Sequence, residues 1–378
     1  MRFADMKEYV HKHREELYDR GAARACGCVF HPGQTCPRQW QEPDSVPFGQ
    51  RPLTLAIAGT PCLPFTSLGL RQGLTHDAME SWYLWAQEME QAAFDVTLLE
   101  NSDKFPKQLL RDALGKRSCL KFATFGSEEL GWPVRRLRTY GVALHAENVV
   151  WIGPAVEDVT EDFLSWFGRS CALDGDAFVG LDSDEGYDAH LKVLAGNRGI
   201  YPSPEQLTSL RNDWTRLLPI AALETFEAAS AEYSNGTGAK VGLSGAYLAD
   251  VSQSPHRARG GAWIPTVARS SWLVSLSKRR VLTPDEIDLA MGWPAVELQG
   301  NGMYAAQLGF KSTFGMAKAR TRKNLAGNGM MLPAVFSFFL YVAAHTVRKD
   351  QLHLIHMPIN PVVTAEDSDD DSEDGKAQ

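Results

Sequence analysis

The sequence predicts an α/β fold built on a doubly wound sheet, and three observations carry that expectation. "LTLAIAG" (Leu53 to Gly59), "FDVTLLEN" (Phe94 to Asn101) and "LRTYGVAL" (Leu137 to Leu144) are short apolar runs of the kind that form buried strands. Between the first two lies the amphipathic stretch "DAMESWYLWAQEMEQAAF", which reads as a helix that Asp77 caps. Strand, helix, strand, helix, strand is the pattern of a sheet with helices on its faces.

The elements divide the 378 residues into five parts. Residues 1–50 carry one charged helix and a Cys- and Pro-rich loop. Residues 51–152 hold the strands of the core. From 153 to 281 the periodicity weakens, loops dominate, and a separate or inserted module is expected. Residues 282–350 return with helical "TPDEIDLAMGW", a Gly-rich basic region and an apolar helix after Gly327. Residues 351–378 end in "AEDSDDDSEDGKAQ", an acidic, apolar-poor run that is expected to be disordered. "MMLPAVFSFFLYVAAHTV" (Met330 to Val347) is barely long enough to span a bilayer and contains Pro333, so it reads as a buried core helix. From six cysteines without a pairing pattern and no amino-terminal apolar segment, a reducing compartment, nuclear or cytoplasmic, is expected.

The net charge of −8 argues against a general nucleic-acid binder, but it hides an asymmetry. Val251 to Pro284 contains no acid against Arg257, Arg259, Arg269, Lys278, Arg279 and Arg280, and Leu298 to Arg348 is again acid-free. Glu157 to Asp188 holds ten acids and one arginine. A locally basic stretch of this kind can face phosphates on an acidic protein, the acidic part facing away. "DSDEGYD" (Asp182 to Asp188) fails as a calcium loop because its glycine is misplaced.

In α/β sheets ligands bind at the carboxyl ends of the strands. Cys62, held between Pro61 and Pro64, follows the first strand; Glu100 and Asn101 end the second; Arg136 and Arg138 stand at the start of the third. Each alone has a dull explanation, such as a small buried thiol or a surface carboxylate. Together a thiol, a carboxylate and two guanidiniums around one crevice fit covalent catalysis.

These residues resemble the carbon-5 cytosine methyltransferase family. "AGTPCLPFT" keeps Gly59, Pro61, Cys62 and Phe65 of its Pro-Cys loop, with Thr66 for a serine; "LLENS" keeps Glu100 and Asn101, with Ser102 third. "GWPVRRLRTYG" keeps Gly131, Pro133, Arg136 and Arg138, with Val134 for a glutamine. "LTPDEIDLAMGWP" and "AGNGMMLPAVFSFF" match the last two blocks, with Met291 replacing a glutamine. The five blocks keep the family's order from Leu53 to Val347.

The resemblance implies a Rossmann-like, S-adenosylmethionine-dependent methyltransferase sheet with an inserted target-recognition region at 153–281. It implies DNA as partner, or RNA as for tRNA-modifying relatives, and S-adenosyl-L-methionine as cofactor, flanked by Asn328, Gly329 and Met330. Cys62 is implied as the nucleophile toward carbon 6 of an everted cytosine, and Glu100 as the acid at ring nitrogen 3. Arg138 is implied to hold the base or its phosphate, Arg136 to support the crevice, and Asn101 to hold the Pro-Cys loop. The family's Gly-rich cofactor turn should precede the Pro-Cys loop, and residues 1–50 contain no such unit. The expected sheet is therefore incomplete at its amino-terminal half and the cofactor site incomplete, as in a truncated gene or a decayed relative. The alternative expectation is a non-catalytic nucleic-acid-binding or scaffold remnant. Cys26, Cys28, His31 and Cys36 are a further candidate set, for zinc, although C-x-C is a tight spacing for two ligands and unliganded loop cysteines are the stronger reading.

Overall fold

The computed structural model describes residues 53–293 and 322–354, apart from 63, 66–72, 74–75, 77–78, 236–241, 243, 256–259, 269, 323–325 and 328. Its centre is a four-stranded sheet. Strand β1 is Leu55–Gly59, β2 is Val96–Ser102, β3 is Ser118–Phe125 and β4 is Arg138–His145, ordered β1-β2-β4-β3. β1 and β2 run parallel, whereas β4 is antiparallel to both its neighbours.

Helices cover both faces. On one, α1 (Met79–Ala92) and α2 (Lys107–Leu114) bury Met79, Trp82, Leu110 and Leu114 against Leu99, Phe122 and Ala143. On the other, α3 (Thr160–Phe167) and an apolar helix at Leu332–Ala344 bring Phe163, Phe338 and Tyr341 onto Phe125, Tyr140 and Val142. Every residue of β2 is buried, its polar end Glu100–Ser102 included. β1 is an edge strand among the described residues, with Leu55 and Ile57 exposed.

The structure departs from expectation, or adds to it, in three places. A strand precedes the one expected third: "SCLKFATF" forms β3, although Lys121 interrupts its apolar pattern. That lysine is 4% exposed and donates to the carbonyls of Pro154, Ala155 and Val156, so its charge is satisfied within the sheet edge. The sheet is also mixed, a choice of strand direction that the apolar runs left open.

The third lies within the region 153–281, whose first part is largely helical. After α3 come α4 (Asp184–Gly196), α5 (Pro204–Asn212) and α6 (Ile220–Ser234). Ser183 caps α4, and Ser203 with Gln206 forms a capping box on α5. These helices enclose Leu191, Trp214 and Leu217 against a small sheet of β6 (Leu248–Asp250), β7 (Leu273–Ser275) and β8 (Arg280–Val281). Several acids of this region are internal ties: Asp188 and Asp184 pair with Arg211, Glu157 with Arg111, and Asp162 accepts from Tyr341.

"TPDEIDLAMGW" yields α7 (Pro284–Ala290), capped by Thr283 and Glu286. The helix at Leu332–Ala344 is α8, and β9 (Thr346–Arg348) after it pairs with β5 (Val149–Trp151). No helix among the described residues is long and apolar enough to cross a membrane. Residues 1–52 and 355–378 lie outside the described set, as do Cys26, Cys28, His31, Cys36, Asp77 and Asn328.

Candidate active site

The antiparallel direction of β4 builds the crevice. Had β4 run parallel to β2, its first residue would stand at the opposite end of the sheet from Glu100. Instead Ser102 pairs with Arg138 and Glu100 with Tyr140, while Gly59 pairs with Glu100 from the other side. The end of β1, the end of β2 and the start of β4 therefore meet at one edge.

Glu100 is 6% exposed and sits between two arginines. Arg138 Nε lies 3.1 Å and Arg136 Nη2 3.7 Å from its Oε1. Arg136 is 2% exposed and also donates to the Gly329 carbonyl at 2.6 Å, which ties the start of β4 to the segment before α8. Its Nε and Nη1 are buried and make no hydrogen bond. Burial, and then Arg138, push the Arg136 pKa down, with Glu100 opposing them. Burial, and then Glu100, raise that of Tyr140.

Cys62 is half-buried in the loop after β1. The loop is held at two points. Asn101, 1% exposed, donates through Nδ2 to the Thr60 carbonyl at 3.2 Å and to Thr60 Oγ1 at 2.9 Å. The Phe65 amide closes a turn on the Cys62 carbonyl at 3.0 Å. Cys62 also lies close enough to Arg136 to act on its charge. The structure thus brings Cys62, Glu100, Arg136 and Arg138 together, with Gly329 and Met330 beside them.

Gly59 is small for a reason visible here. A Cβ on it would stand 3.1 Å from Met330 Cγ and 3.5 Å from Glu100 Oε2. Met330 therefore occupies the space over the strand end, together with Ile57, Leu98, Leu99, Tyr140, Val335 and Phe338. The cavity they leave is about 10 Å³, room for no more than one water. Among the described residues this space does not fit an adenosyl group and its methionine tail. No group of three or more His, Cys, Asp or Glu among them is arranged to hold a metal ion.

The acid-free run 251–284 reaches the crevice through its backbone. The Arg135 amide donates to the Ile264 carbonyl at 2.8 Å, and the Ile264 amide to the Pro133 carbonyl at 3.0 Å. Not all its cations are free, however. Arg280 pairs with the fully buried Glu286 at 2.9 Å and lies 4.0 Å from the Tyr187 ring centroid, so it is an internal tie. Arg322 of the second acid-free run likewise pairs with Asp285 and Asp288. Sequence reasoning missed Thr60, whose only signal is its place before Pro61, and Arg135, which lies beside the motif arginines.

No protein-family profile matches the chain, and no curated protein does. Among solved structures it is similar to the S. pombe Dnmt2 methyltransferase, with 12% identity, a TM-score of 0.41 and 76% of each chain covered. It is also similar to a mutant of Spodoptera frugiperda DNMT2, with 16% identity, a TM-score of 0.39, and 76% of this chain and 78% of that one covered. The Entamoeba histolytica methyltransferase EhMeth is similar with 11% identity, a TM-score of 0.40 and 77% of each chain covered.

Proposed function

We propose that this chain is a cytosine-C5 methyltransferase-like protein that acts on DNA by covalent activation of an everted cytosine. The observation that carries this reading is the meeting of a loop thiol, a buried carboxylate and two arginines at one sheet edge. Cytosine is a poor nucleophile at carbon 5. Addition of the Cys62 thiolate to carbon 6, with a proton delivered to nitrogen 3 from Glu100, converts it to an enamine that is nucleophilic at carbon 5. Arg138, partly exposed beside Glu100, is placed to hold the base or its phosphate. Arg136 acts through Glu100 and the Gly329 carbonyl as a positioning residue.

The resemblance implies S-adenosylmethionine as the methyl donor, flanked by Asn328, Gly329 and Met330. Met330 fills the space beside Gly59, so the described residues leave no room there for that cofactor. The same packing supports a second reading, a non-catalytic nucleic-acid-binding remnant of the family.

Alkylation mapping tests the site. Iodoacetamide labelling, read by mass spectrometry, follows Cys62 against Cys119 and Cys171, which are also half-buried. A cytosine-containing duplex should slow labelling of Cys62 alone. Equal protection of all three thiols, or none, would remove Cys62 from the substrate site.

A further inference from the structure

One short segment faces two ways. Residues 135–137 lead into β4, which begins at Arg138. Arg136 and Arg138 face Glu100, while Leu137 between them is exposed and Arg135 is partly exposed. Leu137 is 45% exposed and offers an apolar surface beside the crevice. The Arg135 guanidinium lies over Trp263, 5.6 Å from the ring centroid. Arg135 has no carboxylate partner among the described residues, in contrast to Arg111, Arg211, Arg280 and Arg322.

The patch is also held rigidly. The Arg135 amide is bonded to Ile264, and its carbonyl accepts from Thr266 Oγ1 at 2.6 Å. Trp263 lies beside the bridge between Val134 and Ile264. An indole, an uncompensated guanidinium and an exposed leucine, one residue from the arginines on Glu100, make a surface that is apolar and cationic at once. That chemistry suits a nucleotide, whose base stacks on aromatic and guanidinium planes while its phosphate meets the charge.

We propose that Trp263, Arg135 and Leu137 form a stacking subsite for the nucleotide adjoining the everted cytosine. Eversion leaves the neighbouring base with one stacking face open, and the subsite replaces the lost neighbour. The proposal rests on the nucleic-acid reading above and adds to it a defined contact outside the crevice.

The test is a binding cycle with fluorescein-labelled DNA duplexes carrying one mismatched cytosine, intact or with an abasic residue on its 5′ or 3′ side. Trp263→Leu should weaken binding of the intact duplex by roughly 5- to 150-fold, the range of one lost base stack, whereas Trp263→Phe should retain most of it. One of the two abasic duplexes should bind wild type more weakly by a similar factor, and Trp263→Leu should then cost little further, because the two changes remove one contact. Circular dichroism of Trp263→Leu checks that it folds, and Trp263→Phe with the abasic duplexes decides the matter if it does not. Wild type that binds DNA with no dependence on either flanking base would overturn the subsite and leave the wider reading standing. Wild type that binds no DNA would overturn both.

Discussion

Replacing Glu100 with glutamine removes the negative charge between the buried Arg136 and the partly exposed Arg138 while keeping the shape of the side chain. The carboxylate's Oε1 is 3.1 Å from Arg138 Nε and 3.7 Å from Arg136 Nη2. At an effective dielectric of about 20, each contact is an attraction of about 4–5 kcal/mol before the cost of taking the charges out of water. Removing one partner of a buried pair typically costs about 3–5 kcal/mol, because the remaining charge is left uncompensated. Arg136 would keep only its bond to the Gly329 carbonyl and would face Arg138 across a neutral amide. The glutamine oxygen can still accept a hydrogen bond, so Glu100→Gln should destabilise the chain by about 3 kcal/mol. Urea unfolding followed by tryptophan fluorescence measures this directly. Adding Arg136→Met to the same chain should recover part of the loss, since the stranded cation is then gone. A Glu100→Gln change within about 1 kcal/mol of wild type would mean that the cluster is solvated and the crevice open.

Other perturbations follow from the same geometry. Asn101→Ala leaves the Thr60 carbonyl, its hydroxyl and the Ser102 amide without a partner, so it should cost about 2–4 kcal/mol in urea unfolding and change the alkylation rate of Cys62; an unchanged rate would free the loop from Asn101. Burial raises the pKa of Asp288 from 3.8 to about 6 despite Arg322. A carboxyl raised in the folded state favours folding below its unfolded pKa and loses that contribution as pH rises, so stability should fall between about pH 4 and 6, and Asp288→Asn should remove that fall; a wild-type profile identical to the variant's would refute it. Neutralising Lys278 and Arg279 should flatten the salt dependence of DNA binding by about one unit per lost phosphate contact. Arg280→Gln should instead lower stability and leave that slope unchanged, because Arg280 is spent on Glu286 and Tyr187.

The sequence was most informative where one physical requirement dominated. Apolar runs marked β1 and β2, and the helical stretch "TPDEIDLAMGW" marked α7, because burial and helix periodicity each leave a local trace. That Cys62 and Glu100 follow or end neighbouring strands was legible from the apolar runs before them. β3 was not, because Lys121 breaks its pattern and only the distant carbonyls at 154–156 explain how a charge is tolerated there. Strand direction was not legible either: nothing in "LRTYGVAL" distinguishes parallel from antiparallel, although the crevice depends on it. Charge counts misled at Arg280 and Arg322, whose carboxylate partners come from α7. The packing of Met330 over Gly59 joins residues far apart in the chain, and no local rule announces it.

The most direct test of the account is exchange at carbon 5 of cytosine in heavy water. If the Cys62 thiolate adds to carbon 6 and Glu100 serves nitrogen 3, the enamine takes a deuteron at carbon 5. Loss of the original proton and expulsion of the thiolate then restore the ring, and no methyl donor is consumed. Wild type should accelerate deuterium incorporation at carbon 5 of cytosine in a DNA duplex, read by mass spectrometry of the released nucleosides, and Cys62→Ala should abolish it. Exchange by Cys62→Ala at the wild-type rate, or none by wild type that binds the duplex, would contradict covalent activation by this thiol.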